Sequence, residues 1–328
     1  MSDHRREILS LLGDDSEARH RISTQRKAVI LTGMPFVDDR QLAREYLCCH
    51  PYCEANDLAL LLLCAPKSLT AWLQSAIDTA SQCMRMPRLR SLTALNIGTM
   101  PQWQLSSWIS PRKSIRQQIN RAKRSGVVVD QINPARVEKV GNNQALRDEL
   151  HSLIRLHCNS AKLPPLGYIA KRPAVEDLSD YDSLYVARYA GQVVALACIR
   201  YCTQAATIYI EHLFRHRTNG ATSVGPLNGM TELLLHEIAL RSQRGQRICL
   251  GLSPLADVSS PILKVAAQVT SGLYPFKGIE RFRSRLHPDE NLPMYLYYPD
   301  HLTRLEALYK LLCAFSAGHP LRYLMRSL

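Results

Sequence analysis

The chain has 328 residues, 46% of them hydrophobic and 21% charged, and carries a formal net charge of +13. That apolar content excludes an intrinsically disordered chain, and the length is enough for two packed domains. The longest apolar run, Leu58 to Ala65, is far too short to span a bilayer, and the opening MSDHRREILSLLGDD has early acids and no signal-peptide hydrophobic stretch. A cytoplasmic protein without a transmembrane segment is expected. The cysteines lack paired spacing, which suits a reducing compartment where Cys behaves as a small hydrophobe.

Residues 1–22 read as a polar, frayed leader. Residues 23–170 read as an α/β unit. Strand formers at Ala28–Leu31, Ala59–Cys64 and Leu92–Ile97 alternate with helical patterns at Asp39–Cys48 and Leu69–Cys83. A basic helix over Ser110–Ser125 follows, closed by Gly126 and a strand Val127–Val129. The next helix, Asn143–Asn159, has Leu146, Leu150, Leu153, Ile154 and His157 along one face. The segment Leu163–Tyr168 is a turn-rich joint. Residues 171–300 form the second unit, opening with a hairpin of Ser183–Ala190 and Val193–Tyr201 about Gly191-Gln192. A strand containing Ile208, Tyr209, Ile210 and Leu213 leads into a breaker-rich loop, Asn219–Gly229. Thr231 and Glu232 then open a helix with Leu234, Leu235, Ile238 and Ala239 at helical spacing. It stops at Arg244-Gly245, and Ile248–Leu250 resumes a strand that bends at Gly251 and Pro254. Residues 301–328 form a helical tail. Its helix, Leu302–Phe315, places Leu305, Leu308, Tyr309, Leu312 and Phe315 on one side, either to lie on a membrane surface or to pack on the core.

The order of strand, glycine-rich loop, helix and strand leaves backbone N–H groups free to meet an anion or a developing oxyanion. An ordinary crossover without chemistry is the competing reading. Two acids stand nearby: Glu232 at the helix start and Glu211, read as ending the strand that faces the loop. Charge is uneven along the chain. Arg112, Lys113, Arg116, Arg121, Lys123 and Arg124 stand against Asp130 alone, and Lys277, Arg281, Arg283 and Arg285 against Glu280. Two such blocks suit RNA phosphates, whereas one alone would read as a solvated helix face. The run Cys48-Cys49-His50-Pro51-Tyr52-Cys53 lacks a second ligand pair at a zinc-like spacing, so no metal is expected. Cys198, Cys202 and Cys249 read as packing residues. No Ser or Cys is placed to make a triad with His212, His216 or His236.

Five separated blocks, ISPRKSIRQQINRAKRSGVVV, LPPLGYI, YIEHLFRH…GPLNGMTELLLHEI, ICLGLSPL and LYPFKGIERFRSRLHPDENLPMYLYYP, resemble in register the soluble C-terminal domain of the phosphatidylglycerol lysyltransferase family, from about Ala94 to Pro299. The resemblance implies two tandem GNAT-like domains with mixed central sheets, as in the Fem peptidyltransferases. It also implies an aminoacyl-tRNA co-substrate, no cofactor, and a lipid or small-molecule acceptor. Glu232 matches the family's acidic position after Asn-Gly and is implied to bind the α-ammonium of the aminoacyl group or to act as base; Glu211 is the second acid. Asn228, Gly229, Gly251, Ser253 and Lys277 are assigned to substrate, and the six cations between Arg112 and Arg124 to tRNA. The family's Arg-Phe-Lys-x-Lys-Phe run is here Arg281-Phe282-Arg283-Ser284-Arg285-Leu286. A guanidinium is always cationic, so Arg283 and Arg285 are assigned to phosphate or oxyanion stabilisation, not proton transfer. Two alternatives stay open, an acyl-CoA-dependent N-acyltransferase and a non-catalytic RNA-binding protein with the same fold.

Overall fold

The computed structural model describes residues 3–13, 21–73, 75, 91–138, 144–159, 168, 171, 173–216, 228–242, 246–261, 263, 264, 268, 276–316, 318 and 319. Its strands are β1 (Ile22–Gln25), β2 (Ala28–Thr32), β3 (Ala59–Ala65), β4 (Leu92–Gln104), β5 (Val128–Ile132), β6 (Ser183–Tyr189), β7 (Gln192–Cys202), β8 (Thr207–Arg215), β9 (Arg247–Cys249), β10 (Ser253–Pro254) and β11 (Glu290–Pro299). They join one mixed sheet in the order β1-β2-β3-β11-β4-β9-β8-β7-β6-β5, with β10 beside β4. Only β2 with β3 and β8 with β9 pair in parallel; each of these pairs needs a crossover, and a helix supplies it. Helix α2 (Asp39–Ala55) and helix α6 (Met230–Arg241) are those crossovers; the others named below are α1 (Asp3–Leu12), α3 (Leu105–Ile109), α4 (Lys113–Arg124), α5 (Gln144–Asn159), α7 (Phe276–Arg285) and α8 (Arg304–Phe315).

The α/β class and the two repeated β-α-β crossovers follow the sequence expectation, but the sheet is continuous across the boundary expected near residue 170. Strand β5, from before it, pairs with β6, while β11, from near the other end of the chain, enters between β3 and β4. This insertion explains why β4 runs seven residues past Ile97. It is paired along its length with β11, from Leu92↔Pro299 to Gln102↔Glu290, so its backbone is satisfied through Pro101. Helix α2 also outruns its expectation. It is capped at Asp38, whose carboxylate accepts from the Gln41 N–H at 2.8 Å, and it continues through Pro51.

Two further expectations are corrected by burial. Residues 3–12 of the leader are a packed helix, not a frayed tail: Ile8 and Leu9 of α1 are buried against Leu42, Tyr46, Cys49 and Cys53 of α2. On α8 the inward face is Ala307, Leu308, Leu311, Ala314 and Phe315, while Leu305 and Tyr309 are exposed, so the apolar stripe is rotated from the one read in the sequence. A capping box of Thr303 and Glu306 fixes where α8 starts. The buried Cys198, Cys202 and Cys249 pack as expected. The helix over Leu69–Cys83, the joint Leu163–Tyr168 apart from Tyr168, and the Arg244-Gly245 stop lie outside the described residues in whole or large part.

Candidate functional site

Strands β8 and β9 run side by side for three residues only, Thr207↔Arg247, Ile208↔Ile248 and Tyr209↔Cys249. Beyond Tyr209, β8 continues to Arg215 on β7 alone, while the segment after β9 turns through Gly251 (φ 78) and stays on β4, where Ser253 opposes Thr99. The strands therefore part like a fork. Among the described residues, the β8 backbone edge facing the fork is unpaired past Tyr209 and can meet the polar groups of an extended ligand. Arg283 holds the other limb. Its Nη1 donates to the Gly251 carbonyl at 2.7 Å and to the Ser253 hydroxyl at 3.0 Å, and its Nη2 donates to the Leu250 carbonyl. Arg283, expected to meet phosphate or oxyanion, here directs its fork of donors to the protein's own carbonyls. Lys277 and Arg285 stand exposed in the first and last turns of the same helix.

One face of the fork is covered by α6, α4 and α7 through Ile208, Ile210, Leu234, Ile238, Ile115, Ile119 and Phe282. Glu232 lies here, half-buried in the first turn of α6, with no hydrogen bond or ion pair among the described residues. Gly229 caps that helix at φ 86, and a Cβ on it would stand 2.0 Å from the Gln118 carbonyl oxygen. Only glycine lets α4 approach so closely while adopting the left-handed cap. Asn228 is exposed beside it; the rest of the loop from Asn219 lies outside the described residues. On α4 the apolar Ile115, Ile119 and Ala122 are buried, and Arg112, Lys113, Arg116, Arg121, Lys123 and Arg124 are all exposed. Lys123 also reaches Glu237 of α6 at 3.3 Å. The basic surface and Glu232 are therefore mounted on one pair of packed helices. Each of Lys113→Ala and Arg116→Ala removes one cation from this face and should reduce the slope of log K against log salt for a polyanion such as single-stranded RNA by about one. Filter-binding titrations across a salt series would check this.

The opposite face carries Glu211. It does not end its strand, since β8 runs on to Arg215, and its carboxylate is held by Nε of Arg200 on β7 at 2.5 Å. The Arg200 guanidinium lies 4.6 Å from the Tyr181 ring centroid and also donates to the Asp180 carbonyl. His212 Nε2, at 3.6 Å from Glu211 Oε1, completes the cluster. Burial alone would push the Glu211 carboxyl upward; the His212 imidazole and the Arg200 guanidinium reverse this and hold it below its ordinary value. Glu211 is thus an ionised, paired acid, which corrects its reading as an open strand-end carboxylate. His236 donates from Nδ1–H to the Trp108 carbonyl at 2.7 Å and has a structural role.

The structure brings Glu211, Gly251, Ser253 and Arg283 to the fork, with Glu232, Asn228 and Gly229 at the helix start on the α4 side. Sequence reading missed Tyr209, taken only as a strand former, and Arg200. A long polar residue at alternate register with Glu211 inside an apolar strand was the available signal for Arg200. Cavities of about 280 Å³ beside Tyr46, His50 and Lys310, and about 350 Å³ beside Asp38, Trp72 and Arg247, open elsewhere on the surface.

A meander of antiparallel strands, a parallel pair that parts, and a helix starting beside the opening together define an α/β fold built on one mixed sheet. The chain belongs to the family described as phosphatidylglycerol lysyltransferase, C-terminal, whose model matches residues 28–298. Among solved structures it is similar to the C-terminal domain of a putative lysylphosphatidylglycerol synthetase from Agrobacterium fabrum, with a TM-score of 0.68 and 15% identity, covering 96% of this chain and 98% of that one. It is also similar to L-PGS from Bacillus licheniformis, with a TM-score of 0.64 and 13% identity over 94% and 95% of the two chains. No curated protein matches the chain. No helix among the described residues is long and apolar enough to cross a membrane.

Proposed function

We propose that this chain is an aminoacyl-tRNA-dependent aminoacyltransferase that moves an amino acid from tRNA to a hydroxyl or amine of a lipid or small-molecule acceptor. The observation that carries the reading is the mounting of Glu232, an acid with no partner among the described residues, and an exposed basic helix, α4, on one face of the fork, locked together at Gly229 and Gln118. Membership of the phosphatidylglycerol lysyltransferase C-terminal family supports a transferase and makes a lipid hydroxyl the first acceptor to try.

The chemistry asks little of the protein. An aminoacyl ester is already activated, so positioning the acceptor against the carbonyl and stabilising the oxyanion are the main tasks. In this reading α4 holds the RNA backbone, and the carboxylate of Glu232 meets the α-ammonium. The ester carbonyl enters the fork, between the unpaired β8 edge and the limb that Arg283 fixes. The Arg200 and Glu211 pair keeps β7 and β8 in register under the site. Glu232→Gln keeps the size and removes the charge. It should lower transfer about 100-fold with an unchanged melting temperature, because no internal partner is lost. Transfer of label from aminoacyl-tRNA by the two proteins measures this; equal rates would remove Glu232 from the site.

A further inference from the structure

Tyr209 sits at the point where β8 and β9 part, being the last β8 residue paired with β9. Its ring is packed: the residue is 8% exposed and meets Phe36 edge-on at 5.3 Å. Its hydroxyl is different. Among the described residues it makes no hydrogen bond. A buried tyrosine ordinarily places its O–H on a protein partner, because leaving it unmade is costly. The part-buried Tyr168 and the buried Tyr297 do so, donating to the Arg21 and Pro66 carbonyls.

The surroundings of this hydroxyl are those of the fork. A Cβ on Gly251 would stand 3.4 Å from Tyr209 Oη, so the oxygen lies against the turn by which the other limb leaves β8. Arg283 clamps the carbonyls of that turn, and Glu211 follows two residues along β8. Burial, with Glu211 next in weight, pushes the phenol well above its ordinary value, so the oxygen carries its proton at neutral pH and can donate.

We propose that Tyr209 is a catalytic residue of the aminoacyl transfer, donating a hydrogen bond to the ester oxygen that gains charge when the acceptor attacks. This rests on the function proposed above. The acceptor atom bonds to the acyl carbon, the bond from that carbon to the ribose oxygen breaks, and the acceptor's proton leaves on the ribose oxygen. Tyr209 keeps its own proton throughout. Its hydrogen bond strengthens only as the oxygen becomes anionic, which is what lowers a barrier without tightening substrate binding.

Tyr209→Phe tests this, because the ring and its packing on Phe36 remain. Steady-state transfer at varied aminoacyl-tRNA should show kcat lowered about 100-fold or more, with KM within about twofold and an unchanged melting temperature. A kcat equal to wild type would overturn the proposal, as would a loss of kcat accompanied by a lowered melting temperature, which marks a packing role. A folded wild type that discharges no aminoacyl-tRNA at all would overturn the function itself and this step with it.

Discussion

Arg200→Met should lower the free energy of unfolding by about 3–5 kcal/mol, the cost of leaving a buried carboxylate without its cation. Glu211 is enclosed in β8 and Arg200 is the group bonded to it, so the variant strands a charge. The pH dependence should weaken as well. In the wild type the Glu211 carboxyl is held below its ordinary value. Its contribution is therefore present above the unfolded value and is lost as pH falls through the folded one. In the variant only His212 still opposes burial, so the folded value moves up and part of that contribution is lost. Urea unfolding of both proteins at pH 5 and pH 7 checks this. The gap between them should narrow at pH 5, and a gap independent of pH would mean that Glu211 does not feel Arg200.

Gly229→Ala should be nearly as damaging, for reasons of backbone geometry. Alanine pays about 1–2 kcal/mol for the left-handed cap at φ 86. Its Cβ must also displace the Gln118 carbonyl, which it would approach to 2.0 Å, and overpacking of this kind costs about 1–3 kcal/mol more. The atom in the way is backbone, so the relief is a shift of α4 away from α6. Thermal unfolding should report the loss. tRNA affinity should fall with it even at temperatures where the protein remains folded, because the basic face no longer sits over the start of α6. A variant with wild-type melting and wild-type tRNA binding would show that the two helices are not coupled through this contact.

Strands and helices with strong local patterns were legible in the chain. The β6–β7 hairpin about Gly191 and the basic amphipathic α4 lie within a few residues of where periodicity and turn chemistry put them. The strand order was not legible, because β11 enters between β3 and β4 by long-range pairing that no local pattern records. The site divides in the same way. Glu232, Gly251 and Ser253 were visible as residue types at a helix start and a bend. The roles of Arg283 and Glu211 were not, since a guanidinium that clamps its own backbone and one that binds phosphate look identical in sequence. Tyr209 was hidden for a further reason. As a strand former it fits β8 fully, and only its place where β8 and β9 part, a property of the packed molecule, singles it out.

Incubation of the protein with a panel of radiolabelled aminoacyl-tRNAs and vesicles containing phosphatidylglycerol, together with a small-metabolite extract, tests the central claim most directly. Label from at least one aminoacyl-tRNA should move into lipid or a metabolite, with the transfer about 100-fold slower for Glu232→Gln. Label that stays on tRNA with every amino acid and acceptor, alongside consumption of an acyl-coenzyme A by the same protein, would contradict it.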